Sequence, residues 1–232
     1  NTLVMWAAVR AAHEQGIPTV WYIHESLVAH HLITHFPEIK PALELADVLI
    51  MPTRRTAQLY ATLTDRPIEV MPYGIPELRV ASHKPAGDSA HIRFLLLGTY
   101  EPRKGQDLYL QAIAQLAAAI HPRTIFQMAG RILDRPFYER LAQQAAQIPN
   151  VQLQDALDHD EAIEASAAPN VLVCASRDET MPIAILEAMS LGKAIVTTNV
   201  GGVAEWLRDG VNALIVPPEN SLALATALGR CI

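Results

Sequence analysis

Short apolar runs recur along the chain, with room for one helix between most successive pairs. They fall at residues 19–23, 48–51, 68–71, 92–97, 124–128, 151–153, 171–174, 194–198 and 213–216. Most are continuous rather than alternating, the pattern of parallel strands covered on both faces. Between them lie stretches with helical spacing, at 3–15, 41–46, 56–63, 108–120, 137–147, 161–167, 183–190, 203–208 and 221–230. Strand and helix in alternation predict an α/β protein with two doubly wound, Rossmann-like domains. One interval breaks the rhythm. Residues 73–90 are rich in Pro, Gly and Ser with little periodicity, and read as a connection between domains. This places a first domain at 1–76, a linker at 77–90 and a second domain at 91–232, with six of the nine strand-like runs in the second.

Composition narrows the picture. Of 232 residues, 50% are hydrophobic and 18% charged, which is globular rather than disordered. A net charge of −6 gives no electrostatic reason to expect nucleic acid as a partner. Cys174 and Cys231 form no CxxC pair, and Cys174 sits in an apolar run as a core thiol would, so a reducing cytosol is expected. No apolar run approaches the roughly 18–20 residues of a membrane span, and no signal peptide is read at the start. The chain opens on Asn1-Thr2 without a Met, and three strand-like runs are few for a doubly wound domain. The first domain is therefore expected to be truncated.

Candidate chemistry concentrates between residues 176 and 220. A strand at 171–174 runs into a polar loop, Ser176-Arg177-Asp178-Glu179, then Thr180-Met181-Pro182, then an apolar helix from Ile183. Pro182 suits a helix start. A strand, loop and helix in that order put free backbone N–H groups at the carboxyl edge of the sheet, where open α/β sheets bind phosphorylated ligands. Glu187 follows Glu179 by eight residues. A carboxylate there can accept from two hydroxyls at once, as a ribose diol requires, although acidic residues near helix starts also serve simply to offset the dipole. A second loop, Gly98 to Gly105, joins the first strand of the second domain to its long helix and carries Arg103 and Lys104. A lysine there would face the same edge and could neutralise a phosphate, though a lone loop lysine is more often merely solvated.

These residues together resemble the retaining GT-B glycosyltransferases of family four, also called glycosyl transferases group 1. The hallmark is Glu-x7-Glu leading into an EAM-x-x-G-K segment, then a Gly-Gly pair and a D/N-G-x-x-G-x-L-V-P-P tail. Here it reads Glu179–Glu187, Ala188-Met189, Gly192-Lys193, Gly201-Gly202, Asp209-Gly210 and Leu214-Ile215-Val216-Pro217-Pro218. Order and spacing agree over about 45 residues, so the combined signal is strong where each part is weak. Upstream, Pro72-Tyr73-Gly74-Ile75 is similar to the family's P-N-G-V/I segment, Gly98 with Lys104 to its phosphate loop, and Gly130 to a strand-end glycine. Trp21-Tyr22-Ile23-His24-Glu25 is similar to the strand-end segment whose histidine approaches the transferred sugar.

The resemblance implies transfer of a sugar from a nucleotide diphosphate sugar to an acceptor hydroxyl, with retained configuration and by a front-face route. It implies no cofactor and no metal. Residues 1–76 become the end of an acceptor-side domain, and 91–232 the donor-binding domain. His24 and Glu179 would act on the donor sugar. Glu187 would hold the ribose. Gly98, Arg103, Lys104, Gly130 and the backbone N–H groups of Thr180, Met181 and Ile183 would surround the diphosphate. Two departures stand out: Thr99 replaces an arginine, and Glu179-Thr180-Met181-Pro182 loses the family's second loop glycine. Expected partners are the nucleotide-sugar donor and a glycan, lipid or small-molecule acceptor. Peripheral membrane contact through the missing acceptor half and self-association of the truncated domain are further expectations, as is a cytoplasmic or membrane-peripheral location. Donor binding is expected to exceed transfer in this chain as given. Two alternatives stay open: a nucleotide-sugar epimerase of similar architecture, and a binding fragment that turns nothing over. A nicotinamide-binding domain fits poorly, because no G-x-G-x-x-G follows a strand.

Overall fold

The computed structural model describes residues 2–78, 91–117 and 121–232. Contacts divide the chain into two compact units. One is formed by 1–74 with 178–181 and 200–206, and the other by 75–177, 182–199 and 207–232. The segment read as a linker lies almost wholly outside the described residues.

The first unit contains α1 (Trp6–Glu14), β1 (Val20–Tyr22), α2 (Val28–His35), α3 (Ile39–Leu45), β2 (Val48–Met51), α4 (Arg54–Tyr60) and β3 (Ile68–Val70). Its strands make a parallel sheet in the order β1-β2-β3, with Val20 opposite Val48 and Leu49 opposite Ile68. Leu3, Trp21, Ile23, Leu43, Leu49, Met51 and Tyr60 are buried together beside it. Thr53 caps α4 through its hydroxyl, which accepts from the Thr56 N–H. One helix departs from the sequence expectation. The apolar pattern does not announce α2, because His30, His31 and His35 interrupt it and Ala29 is its one residue classed as buried.

The second unit contains β4 (Ile92–Leu97), α5 (Gln106–Ala114), β5 (Thr124–Ala129), α6 (Arg135–Ala145), β6 (Val151–Gln154), α7 (His159–Ala167), β7 (Val171–Cys174), α8 (Ile183–Ser190), β8 (Ala194–Thr198), β9 (Leu214–Val216) and α10 (Ser221–Gly229); α9 (Val203–Trp206), which falls between β8 and β9, belongs by its contacts to the first unit. All six strands are parallel, in the order β6-β5-β4-β7-β8-β9. Every residue of β7 is buried, which explains why its sequence is uninterrupted Val-Leu-Val-Cys. The Cys174 thiol is part of that strand and buried, as the sequence implied. Phe94 and Phe126 stack with centroids 5.2 Å apart, and Tyr109 meets Phe126 edge-on at 6.2 Å, centring the core on β4 and β5.

Helix starts are chemically explicit. Asp134 accepts from the Phe137 N–H, Asp158 and Glu161 form a reciprocal capping box, and Asn220 accepts from the Ala223 N–H. Topology places the candidate chemistry. The chain winds outward from β4 through β5 to β6, returns to set β7 against β4, and winds the other way through β8 to β9. The connections leaving β4 and β7 therefore diverge, and the carboxyl edge of that pair is the switch point where such sheets open a crevice. Among the described residues no helix is long and apolar enough to cross a membrane.

Candidate functional site

Three glycines let the strand ends of the second unit crowd together. A Cβ on Gly130, after β5, would lie 2.0 Å from the Gly98 carbonyl oxygen. A Cβ on Gly105 would lie 2.0 Å from the Ala175 carbonyl oxygen, and Gly105 also has φ +69°, in the left-handed region. A Cβ on Gly98 would come within 3.3 Å of Lys104 Cδ, so the lysine stem lies across the bare end of β4. Gly98, Gly130 and Lys104 thus share one edge of the sheet, beside the end of β7.

The loop from 99 to 105 is internally bonded. Glu101 accepts from the Thr99 hydroxyl at 2.7 Å and from Arg103 Nη2 at 2.9 Å. Arg103 therefore already has a carboxylate partner, in a partly exposed pair of small intrinsic worth. Gln106, fully buried at the start of α5, donates to the Thr99 carbonyl at 2.8 Å. The loop after β7 is zipped to this one by the Arg177 N–H, which donates to the Arg103 carbonyl at 2.8 Å.

Arg177 is the residue that sequence reasoning passed over. Its guanidinium makes a bidentate pair with Asp107 at 2.8 Å and 2.8 Å, donates from Nε to Glu219 at 2.6 Å, and reaches the Pro102 carbonyl at 2.5 Å. The Asp107 hydrogen bonds hold its pKa above the ordinary arginine value. One side chain thus fastens the loops after β4, β7 and β9, a fork geometry that lysine could not supply. Spacing offered no signal, since the partners lie 70 and 42 residues away.

From that same edge the chain passes through 178–182 into α8. Pro182 is its extended N-cap and lacks an N–H, and the Ile185 N–H turns back to the Pro182 carbonyl at 3.1 Å. Ile183 is the first residue of α8 and half exposed. Glu187 lies in the second turn and is half-buried.

Glu179, Thr180 and Met181 are packed within the first unit, and all three are buried. The Thr180 hydroxyl donates to the His24 carbonyl, and the Gly202 N–H donates to the Thr180 carbonyl at 2.7 Å. Gly201, at φ +51°, sits where a Cβ would lie 2.1 Å from the Glu179 carbonyl oxygen and 2.3 Å from that of Thr180. A Cβ on Gly202 would strike the Thr53 side chain at 2.3 Å. The Gly-Gly pair is therefore a clamp on the Glu179 loop. Glu205 completes it by accepting the Arg54 and Arg55 N–H groups at 3.1 Å and 3.0 Å, at the start of α4.

His24 lies just beyond β1 in an aromatic setting. Its Nδ1 is 2.8 Å from the Tyr73 hydroxyl, and its ring centroid is 4.5 Å from that of Tyr22 and 5.4 Å from that of Tyr73. Burial lowers the His24 pKa, against an opposing pull from the Glu25 carboxylate. The fold thus brings His24 and the Glu179 loop together, joined through Thr180. The His31 and His35 rings lie one helical turn apart, tilted at 45° with centroids 4.1 Å apart, but among the described residues no group of three or more His, Cys, Asp or Glu is arranged to hold a metal ion.

A doubly wound parallel sheet with a switch point between its two inner strands is the framework of the GT-B glycosyltransferases, and this chain has that fold. The chain belongs to the family of glycosyl transferases group 1, whose model matches residues 79–232. Among curated proteins it is 29% identical over 201 residues to a D-inositol 3-phosphate glycosyltransferase of Acidothermus cellulolyticus, covering 77% of this chain and 43% of that protein. It is 28% identical over 138 residues to an alpha-D-kanosaminyltransferase of Streptomyces kanamyceticus, covering 60% and 36%. Among solved structures, Anabaena Alr3699/HepE, crystallised in complex with UDP-glucose, superposes with a TM-score of 0.84 at 21% identity, covering all of this chain and 67% of that one. The chain spans 43% and 36% of the length of these two curated relatives.

Proposed function

We propose that this chain carries the donor-binding machinery of a transferase that moves a sugar from a nucleotide diphosphate sugar to an acceptor hydroxyl with retention of configuration. The observation that carries the reading is the edge of β4 and β7. Gly98, Gly105 and Gly130 let the strand ends and their loops pack closely there, and the Lys104 stem lies against the end of β4. That combination suits a diphosphate, whose charge grows as it leaves. In this reading Lys104 and the N–H groups of Thr180, Met181 and Ile183 meet that charge. Arg103 joins them by releasing Glu101. No metal ion or other cofactor is needed.

Glu187 takes the ribose diol as a two-oxygen acceptor. Glu179 takes a hydroxyl of the donor sugar. His24 supplies a neutral ring to the same sugar, a state that its lowered pKa favours. The acceptor is a glycan, lipid or small-molecule hydroxyl. The UDP-glucose complex of the Anabaena protein makes uridine diphosphate sugars the first donors to try.

The test is a thermal-shift panel of UDP-, GDP- and ADP-sugars, since a ligand of the folded state alone raises stability. The donor selected is then used in a transfer assay in which NMR reads the anomeric configuration of the product. Stabilisation by one nucleotide sugar and a retained product are expected. Failure of every nucleotide sugar to stabilise the protein, or an inverted product, would overturn the proposal.

A further inference from the structure

Tyr73 has no part in the scheme above. It occupies a position where the resembling family carries asparagine, in the sequence Pro72-Tyr73-Gly74. In space it is the direct partner of His24. Its hydroxyl lies 2.8 Å from Nδ1 and its ring stacks on the imidazole at an interplanar angle of 26°. The segment bearing it is pinned by Tyr22, whose hydroxyl donates to the Met71 carbonyl at 2.6 Å and whose ring is 6.1 Å from that of Tyr73. His24 is also held through its backbone, with its N–H on the Glu25 carboxylate at 3.2 Å and its carbonyl on the Thr180 hydroxyl. The Glu25 carbonyl accepts in turn from the buried Tyr60 hydroxyl at 3.1 Å.

The ring is thus fixed on one side by its own backbone and on the other by a phenol. We propose that Tyr73 is a positioning residue for His24: its hydroxyl donates to Nδ1, which locks the ring plane and leaves the proton on Nε2 as the donor offered to a sugar hydroxyl. The inference rests on the sugar-directed role proposed for His24. Its chemistry is local. A neutral imidazole has one donor and one acceptor nitrogen, and whatever bonds to one nitrogen sets the role of the other. Burial first, then the nearby Tyr22, Glu25 and Glu179, push the Tyr73 pKa up, so the phenol keeps its proton. Burial likewise favours the neutral ring.

The experiment is nitrogen-15 NMR of the His24 ring in the protein and in Tyr73→Phe, with turnover as a second readout. Phenylalanine keeps the ring stack and removes only the hydroxyl. In the unaltered protein His24 should be the Nε2–H tautomer above its pKa. In Tyr73→Phe the two tautomers should mix, and turnover should fall about five- to tenfold at unchanged KM for the donor, the scale of one lost hydrogen bond. In a His24→Ala background, Tyr73→Phe should cost nothing further. An unchanged tautomer in Tyr73→Phe, or an undiminished loss in the His24→Ala background, would overturn the proposal. If no nucleotide sugar stabilises the unaltered protein, the proposed function fails, and the tautomer comparison alone still decides the part played by Tyr73.

Discussion

Replacing Gly105 by alanine separates two reasons for a glycine. Gly105 and Gly210 have nearly the same backbone, at φ +69° and +70°. Either substitution forces an L side chain into the left-handed region, at a cost of about 1–2 kcal/mol. Their surroundings differ. A Cβ on Gly210 meets nothing within 4 Å, whereas one on Gly105 falls 2.0 Å from the Ala175 carbonyl oxygen and 2.8 Å from its carbon. Those are backbone atoms and cannot swing aside, so the end of β7 must move away from the start of α5. Forced overpacking of this kind adds about 1–3 kcal/mol. Both glycines belong to the second unit, so both variants report on its unfolding. For a protein of this size the difference corresponds to a Tm lower by about 2–12 °C in Gly105→Ala than in Gly210→Ala. Circular dichroism melts of the two variants, run beside the unaltered protein, give the comparison directly. Equal Tm losses would show that the close approach to Ala175 carries no energy, and the account of how the β4–β7 edge is packed would fall with it.

Glu187→Ala should weaken nucleotide binding by about 1.5–3 kcal/mol, the range for hydrogen bonds to a charged group; titration calorimetry giving the same affinity as the unaltered protein would remove the ribose assignment. Lys104→Met should weaken a nucleoside diphosphate much more than the parent nucleoside, and the salt dependence of binding should flatten; equal losses for both ligands would place Lys104 outside the phosphate contacts. Glu179→Ala should lower turnover while leaving the affinity for the bare nucleoside diphosphate unchanged, which the same two assays can check. Because the folded-state pKa of His24 is lowered, the unfolded chain binds more protons below its ordinary value of about 6.5. The His24 contribution to stability should therefore be complete above that pH and fall as pH drops toward the folded-state value. Denaturant titrations of the protein and His24→Gln between pH 5 and 7.5 should differ in slope in that window, and identical pH dependence would count against a desolvated neutral ring.

The fold was more legible than the site, for a physical reason. Parallel strands buried on both faces write themselves as uninterrupted apolar runs, and all nine predicted runs correspond to strands with ends shifted by a residue or so. The α2 helix escaped because three histidines break its apolar pattern and the residues it packs inward, Ala29, Leu32 and Ile33, are few and mostly only partly buried. At the site, local residues could be read and distant partners could not. Lys104 and Glu179 are singled out by their places in loops that run from strand to helix, and Glu187 by its spacing from Glu179 and the resemblance that the pair carries. Arg177 stood within the same stretch but bonds to Asp107 and Glu219, and Tyr73 touches His24 across 49 residues of chain. Such contacts follow from the crossing of loops at a sheet edge, and no local pattern encodes them.

The hallmark segment proves to be two kinds of information interleaved. Gly192, at φ +65° past the end of α8, is a helix stop, and the Lys193 ammonium donates to the Ala167 carbonyl at the last residue of α7. Asp209 accepts the Ile215 N–H at 2.8 Å on the edge strand β9, occupying a backbone group that would otherwise invite another strand. Gly201 and Gly202 clamp the Glu179 loop through close approach and through the Gly202 N–H on the Thr180 carbonyl. Each of these has a sufficient structural reason, so its presence argues for the fold and only indirectly for the reaction. Glu187 neither caps α8 nor lies in its first turn. A half-buried carboxylate in the second turn loses some of its hydration and gains little from the helix dipole, which falls off within the first turn. The proposed ribose contact therefore rests on the place of Glu187 in the helix that follows the loop leaving β7, and the affinity of Glu187→Ala for nucleotide decides it.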